Sequence, residues 1–265
     1  MHHRSLLVRL SLAAALLSGL GAAQAVATPF SGIAVVVPGD ANPWLAGMPD
    51  GTGASLTDAA PAQSPVLVPG LSLVAGTAVQ FLNVTGGVSY SGSCPADCIG
   101  PDGDVLMSHG FDFNTRINFG FGAGENGIAV LAAPLSGLLG VYLDASQPDG
   151  TPVPATILDF QAGALGLNFT SLSPGLKQVF FIGDGMTDGG TVQSFIVPTG
   201  ATRLYLGTMD GFGWAGNNGA FALDVSAVPE PANALLALAG LGWLPGYGRR
   251  ANRRGIAKAP ASVGA

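Results

Sequence analysis

The chain has 265 residues, of which 48% are hydrophobic and 10% charged, with 41 glycines and 19 prolines. So little charge excludes a bundle of surface helices and charge-driven disorder, and the glycine and proline content points instead to many short strands joined by turns. All 16 acidic residues lie between Asp40 and Glu230, where only Arg116, Lys177 and Arg203 oppose them; this stretch of net charge −13 lacks the clustered Lys and Arg that nucleic-acid binding requires.

In chain order, Arg4 and Arg9 precede the apolar run Leu10 to Leu17, and small residues lead to Ala23-Gln24-Ala25. A positive start, a short apolar core and an A-x-A site define a secretory signal peptide over residues 1–25, cut between Ala25 and Val26 by signal peptidase. The competing reading is a short membrane anchor, for which the run is too short to span. Residues 26–70 read as a loop-rich front, with Asn42-Pro43-Trp44, Met48-Pro49-Asp50-Gly51 and Pro61-Ala62-Gln63-Ser64-Pro65 as turns.

Strand signals fill residues 71–227. Thr77 to Val84, Gly137 to Leu143, Gln178 to Ile182, Gln193 to Val197, Thr202 to Leu206 and Ala220 to Val225 are β-rich runs bounded by turn residues. Some alternate polar and apolar and others are continuously apolar, so half-buried and fully buried strands are mixed. That mixture predicts two packed sheets. The expected fold is all-β, a two-sheet β-sandwich of jelly-roll type.

Cys94 and Cys98 flank Pro95-Ala96-Asp97. In an oxidising compartment a disulfide closing a small surface loop is the default, and metal binding by two thiols alone is the weaker alternative. Asp102-Gly103-Asp104 and Asp184-Gly185-Met186-Thr187-Asp188 offer oxygen ligands without a complete EF-hand pattern and read first as turns. Gly120-Phe121-Gly122-Ala123-Gly124 has the wrong spacing for a phosphate loop and reads as a hairpin turn. Asn83-Val84-Thr85 and Asn168-Phe169-Thr170 match the glycosylation triplet at chance level.

Between two strand signals, Leu206 to Gly219 carries Asp210, several glycines and the adjacent amides Asn217 and Asn218. Hard cations such as Ca²⁺ take oxygens from Asp, Asn and backbone carbonyls, and glycines let a loop aim several at one point. A long turn whose Asp and Asn bond their own backbone satisfies the same spacing. The run from Pro198 through Leu206, then Asp210, Trp214, Asn217-Asn218 and Gly219-Ala220-Phe221, resembles the calcium loop of the PA-I-type galactophilic lectins, small β-sandwiches that bind galactose through a bridging Ca²⁺. The resemblance implies a ligand set of Asp210, the Trp214 carbonyl, Asn217 and Asn218. A further carbonyl from an upstream loop falls on Tyr90, through Gly86-Gly87-Val88-Ser89-Tyr90, and Asp210 and Asn217 would also face a sugar. Gly100-Pro101-Asp102-Gly103-Asp104 resembles the segment that follows, displaced by the Cys94 to Cys98 insertion. The family's sugar-contacting His and Gln have no counterpart among Met107, Ser108 and Gly110. His109 lies close but out of register, as a substitute or a plain surface residue.

Catalysis is not expected. His109 is the only histidine after residue 3, and Ser108 beside it lacks a nucleophile-elbow context. At the far end, Val228-Pro229-Glu230-Pro231 precedes Ala232 to Tyr247, sixteen uncharged residues, and then Arg249, Arg250, Arg253, Arg254 and Lys258. As a helix this stretch would cover about 24 Å at ~1.5 Å per residue, short of a ~30 Å hydrocarbon core, with the arginines held on the cytoplasmic side. Motif, helix and basic cluster over residues 228–258 resemble the PEP-CTERM sorting signal of bacterial surface proteins, which implies cutting by an exosortase near Pro-Glu-Pro and a host that makes exopolysaccharide. Residues 259–265 read as a disordered tail. The function expected is an exported surface or matrix protein with a Ca²⁺-stabilised, carbohydrate-binding β-sandwich. The alternative is a structural matrix or biofilm component whose calcium loop is purely structural.

Overall fold

The computed structural model describes residues 32–54, 57–90, 93–104, 124–211 and 213–228, with the backbone of 114–115. The signal peptide, its Ala25–Val26 cut, His109 and everything beyond Val228 lie outside the described residues. Sixteen strands run through the described part: β1 Ile33–Pro38, β2 Gly53–Ala54, β3 Asp58–Ala59, β4 Val66–Leu67, β5 Ala78–Ser89, β6 Asn114–Thr115, β7 Gly124–Glu125 and β8 Ile128–Ala129; then β9 Leu131–Ala133, β10 Leu138–Leu143, β11 Leu158–Asp159, β12 Ser171–Leu172, β13 Val179–Phe181, β14 Ser194–Ile196, β15 Arg203–Thr208 and β16 Asn218–Val228. Single 3₁₀ turns occur at Pro43–Leu45, Pro148–Gly150 and Trp214–Gly216, and the described residues contain no α-helix. The described part is all-β, as the glycine, proline and strand signals predict.

The strands form a five-stranded sheet in the order β1-β16-β5-β14-β12, a four-stranded sheet β13-β10-β15-β4, a three-stranded sheet β11-β9-β6 and the hairpins β2-β3 and β7-β8. All six strand signals coincide with strands. Alternation explains the half-buried ones: Val35 and Val37 of β1 point inward and Ala34 and Val36 outward. Every residue of β10 and β13 is buried, which matches their continuous apolar runs.

Aromatic rings join the two larger sheets. Phe195 of β14 meets Phe81 of β5 at 5.1 Å between ring centroids and, from the other sheet, Phe180 of β13 at 5.3 Å. Tyr142 of β10 stacks on Phe180 at 5.2 Å, and its hydroxyl donates to the Phe195 carbonyl. Burial pushes the Tyr142 phenol pKa well up. Edge and offset ring contacts at these spacings add to the area buried.

The front of the domain is built in more tightly than its turn-rich sequence suggests. β1 pairs along its whole length with β16, and β4 pairs with β15, so both larger sheets contain strands from residues 33–67. Trp44, Leu45 and Ala46 are buried in the common core. Asn42 is the N-cap of the first 3₁₀ turn, its side chain accepting from the Trp44 N–H, with Pro43 at the first position. Trp44 Nε1 donates to the Ala129 carbonyl at 3.1 Å.

β5 runs five residues past its sequence signal, through Asn83 in a left-handed conformation (φ 53°) beside a register shift in the pairing with β16. This is a bulge, and turn-type residues mark it. Gly86 follows with φ +93°, where a Cβ would lie 2.3 Å from the Ala220 carbonyl oxygen, so only glycine lets the two strands meet there. Phe195→Ala removes the ring shared by both larger sheets; chemical unfolding is expected to show a loss of about 3–5 kcal/mol, whereas a loss under about 1 kcal/mol would mean the sheets do not depend on it.

Candidate cation-binding loop

The stretch from β15 to β16 passes from one large sheet to the other. The ladder between β10 and β15 continues beyond Thr208: the Met209 N–H donates to the Gly137 carbonyl at 2.9 Å, and the Met209 carbonyl accepts from the Ser136 N–H at 2.7 Å. Asp210, next along, is therefore held in place and only 6% exposed. Trp214–Gly216 forms a 3₁₀ turn, and the Asn217 N–H closes it on the Trp214 carbonyl at 2.9 Å.

Pairing brings the upstream segment to the loop, because Ser89 lies opposite Asn218 and Tyr90 follows directly. The Tyr90 phenol pKa is raised above its ordinary 10.0, first by burial and then by the negative charges of Asp104 and Asp210. These three side chains thus share one electrostatic environment. Asp104 enters it because its N–H donates to the Leu135 carbonyl at 2.7 Å, one residue before Ser136.

The amides differ. Asn217 Nδ2 donates to the Gly39 carbonyl at 3.2 Å, which orients the group and leaves Oδ1 buried with no hydrogen-bond partner. The hydroxyl of Ser136 is a second buried oxygen without one. An unpaired buried oxygen costs free energy that a cation would recover. Asn218 is exposed and donates from Nδ2 to the Gly216 carbonyl at 3.1 Å. Among the described residues no three His, Cys, Asp or Glu side chains form a metal cluster; the oxygens of the loop itself are those of the Asp210 carboxylate, two amides and the backbone carbonyls. Such a set suits Ca²⁺ better than a softer metal.

No family model, curated protein or solved structure matches the chain. The geometry of the loop therefore carries the reading.

Cys94 and Cys98 form the disulfide, with Cα atoms 5.0 Å apart, in a surface loop. The loop packs against the strand that leads to Tyr90. A Cβ on Gly219, which has φ +86°, would fall 2.6 Å from Cys94 Sγ and 2.2 Å from the Gly87 carbonyl oxygen. Beyond this loop, Val88 and Ile99 exchange backbone hydrogen bonds at 3.0 and 2.8 Å, which returns the chain toward Asp102 and Asp104.

Asp102 parts company with Asp104. Its Oδ1 accepts from the Asp184 N–H at 2.9 Å, and with Asp184, Met186, Thr187, Asp188 and Leu167 it lines a separate cavity of about 240 Å³. Its pKa is raised, chiefly by burial and further by Asp184 and Asp188, although the Asp184 N–H pulls the other way. Both glycosylation-type asparagines bond aspartates: Asn83 bonds Asp224 and Asn168 bonds Asp188. Gly124 opens strand β7 rather than a phosphate-binding helix, and residues 120–123 lie outside the described part.

Sequence reasoning missed Asp58. This carboxylate is 2% exposed, and it accepts from Asn42 Nδ2 at 2.9 Å, Trp214 N–H at 2.9 Å and Ala215 N–H at 3.1 Å. The Asn42-Pro43-Trp44 cap is the local signal near it for an ordered turn. Replacing Asp210 with Asn removes a negative charge facing Tyr90, so Asp210→Asn is expected to lower the phenol pKa toward 10.0 in an ultraviolet pH titration. An unmoved titration would show that the carboxylate does not face that phenol.

Proposed function

We propose that the chain is an exported, exosortase-processed protein of the bacterial cell surface or extracellular matrix. Its described part is a two-sheet, lectin-like β-sandwich in which Ca²⁺ at the Asp210 loop stabilises a carbohydrate-binding end. The function is binding rather than catalysis. The observation that carries it is the buried, unpaired Asn217 Oδ1 beside a loop whose Asp210 carboxylate is only 6% exposed. Asp210, the Trp214 carbonyl, Asn217, Asn218 and the Tyr90 carbonyl would hold the ion.

Charge supports the same reading. With the signal peptide and basic tail removed, a strongly acidic domain concentrates divalent cations near its surface. One carboxylate among neutral oxygens suits a weak extracellular site, about 10⁻⁴ to 10⁻³ M. The sorting reading rests on Val228-Pro229-Glu230-Pro231 and the arginines at 249, 250, 253 and 254. Val228, the last residue of β16, pairs with Ala78, so a cut near Pro231 would leave every described strand in place. Signal peptidase and exosortase are then the processing partners, the membrane a transient one, and exopolysaccharide or a galactose-like sugar the ligand.

The burial of Asp210 favours a second reading, in which calcium only rigidifies a structural matrix component, because a sugar-bridging ion needs ligands within reach of solvent. Calorimetry and thermal melting of the full chain, with calcium or chelator, are the deciding measurements. Tenfold excess over Kd should stabilise by about 1.4 kcal/mol, and Asp210→Ala should abolish that gain. Melting indifferent to chelator refutes the metal; calcium-dependent melting with an empty glycan array selects the structural role.

A further inference from the structure

We infer that Asp58 is a positioning residue for the candidate cation loop, fixing and polarising the peptide unit whose carbonyl is offered to the metal. The inference rests on the calcium reading above and adds a residue outside the proposed ligand set. The N–H of Ala215 and the carbonyl of Trp214 belong to one peptide plane. Asp58 Oδ1 accepts from that N–H at 3.1 Å, while Oδ2 accepts from the Trp214 N–H at 2.9 Å. A carboxylate on the N–H side fixes the direction of the plane and draws the proton toward itself. Electron density on the carbonyl oxygen rises, as it does along any chain of polarised hydrogen bonds.

The carboxylate is itself immobilised. Asp58 opens β3, paired with β2 through Ala54, and Asn42 Nδ2 occupies Oδ2 from a third direction at 2.9 Å. The same front segment reaches the loop twice more. Trp44 packs on Trp214 with ring centroids 5.5 Å apart, and the Gly39 carbonyl accepts from Asn217 Nδ2, turning its Oδ1 inward. The Asp58 side chain and the Gly39 carbonyl therefore set the orientation of two proposed ligands without contributing an atom to the ion. Outer carboxylates that orient ligands commonly govern metal affinity without touching the metal.

The test compares the full wild-type chain with Asp58→Asn and Asn42→Ala by calcium calorimetry and chelator melting. Asp58→Asn puts an amide donor against the Ala215 or Trp214 N–H and is expected to weaken calcium binding about 10- to 100-fold. Asn42→Ala leaves both loop bonds in place but removes one hold on the carboxylate, and it is expected to lower the apo melting temperature and to weaken calcium binding by less than Asp58→Asn does. Wild-type affinity in folded Asp58→Asn overturns the role of Asp58 while leaving the calcium site standing; a wild-type chain that binds no calcium overturns both. Should Asp58→Asn fail to fold, nuclear magnetic resonance of the wild-type chain decides. Calcium is expected to shift the Trp214 carbonyl carbon and the Ala215 amide proton together, and an unmoved Ala215 amide as the loop titrates overturns the coupling.

Discussion

A carboxylate that loses its water must be met by donors from the protein, and in this chain the Asp58 side chain imposes that condition on two separate segments. Charge-assisted hydrogen bonds contribute about 1.5–3 kcal/mol each and cost comparably when left unmade. Its partners therefore have to arrive together: the Asn42 amide from the first 3₁₀ turn, and two backbone N–H groups from the turn at Trp214–Gly216. None of them neighbours Asp58 in sequence. The front of the domain and the loop between β15 and β16 are thus ordered as a pair, and the Trp44–Trp214 contact seals the joint with apolar surface.

The end of the molecule around this joint follows from strand register. β5 and β16 share the longest ladder in the described part, and its register sets Ser89 against Asn218, so that Tyr90 meets the Asp210 loop. The continued ladder at Ser136, Met209 and Gly137 places Asp210, and the bridge at Leu135 places Asp104. Close approach of the two long strands requires glycine at 86 and 219, and the disulfide loop lies over that junction. Side chains distant in sequence acquire a common electrostatic field through backbone pairing alone. After burial, the charges of Asp104 and Asp210 are what raise the Tyr90 phenol pKa.

Much of the fold was legible because the strands obey local rules. Val179 to Phe181 and Leu138 to Leu143 are continuously apolar, and Arg203 to Leu206 alternates, as burial on two faces or one requires. β1 escaped attention although Ile33 to Val37 is β-branched and apolar apart from Ala34, because it lies beside a run of turn residues. The far half of β5 was hidden by Gly86 and Gly87, which signal a turn when read singly but here form a close strand contact. Of the site, Asp210, Trp214, Asn217, Asn218 and Tyr90 were named through their resemblance to a calcium loop. Asp104 reads first as a turn residue that offers an oxygen ligand, in a segment that resembles the one after the upstream loop, and nothing in the sequence joins it to Tyr90 and Asp210. Asp58 and the Gly39 carbonyl carried no local pattern at all, because their roles depend on groups more than 150 residues away.

The sequence by itself determined six of the strands, the principal turns, the acidity of the central region and the pairing of its two cysteines, since each depends on neighbours within a few residues or on bulk composition. The orientation of the Asn217 amide, the grouping of Tyr90 with Asp104 and Asp210, the separation of Asp102 from Asp104 and the burial of Asp58 were decided only by the tertiary structure. Each is a matter of which carbonyl or N–H a polar atom meets after leaving water. That partner is chosen by sheet register and core packing, which no local window of sequence contains.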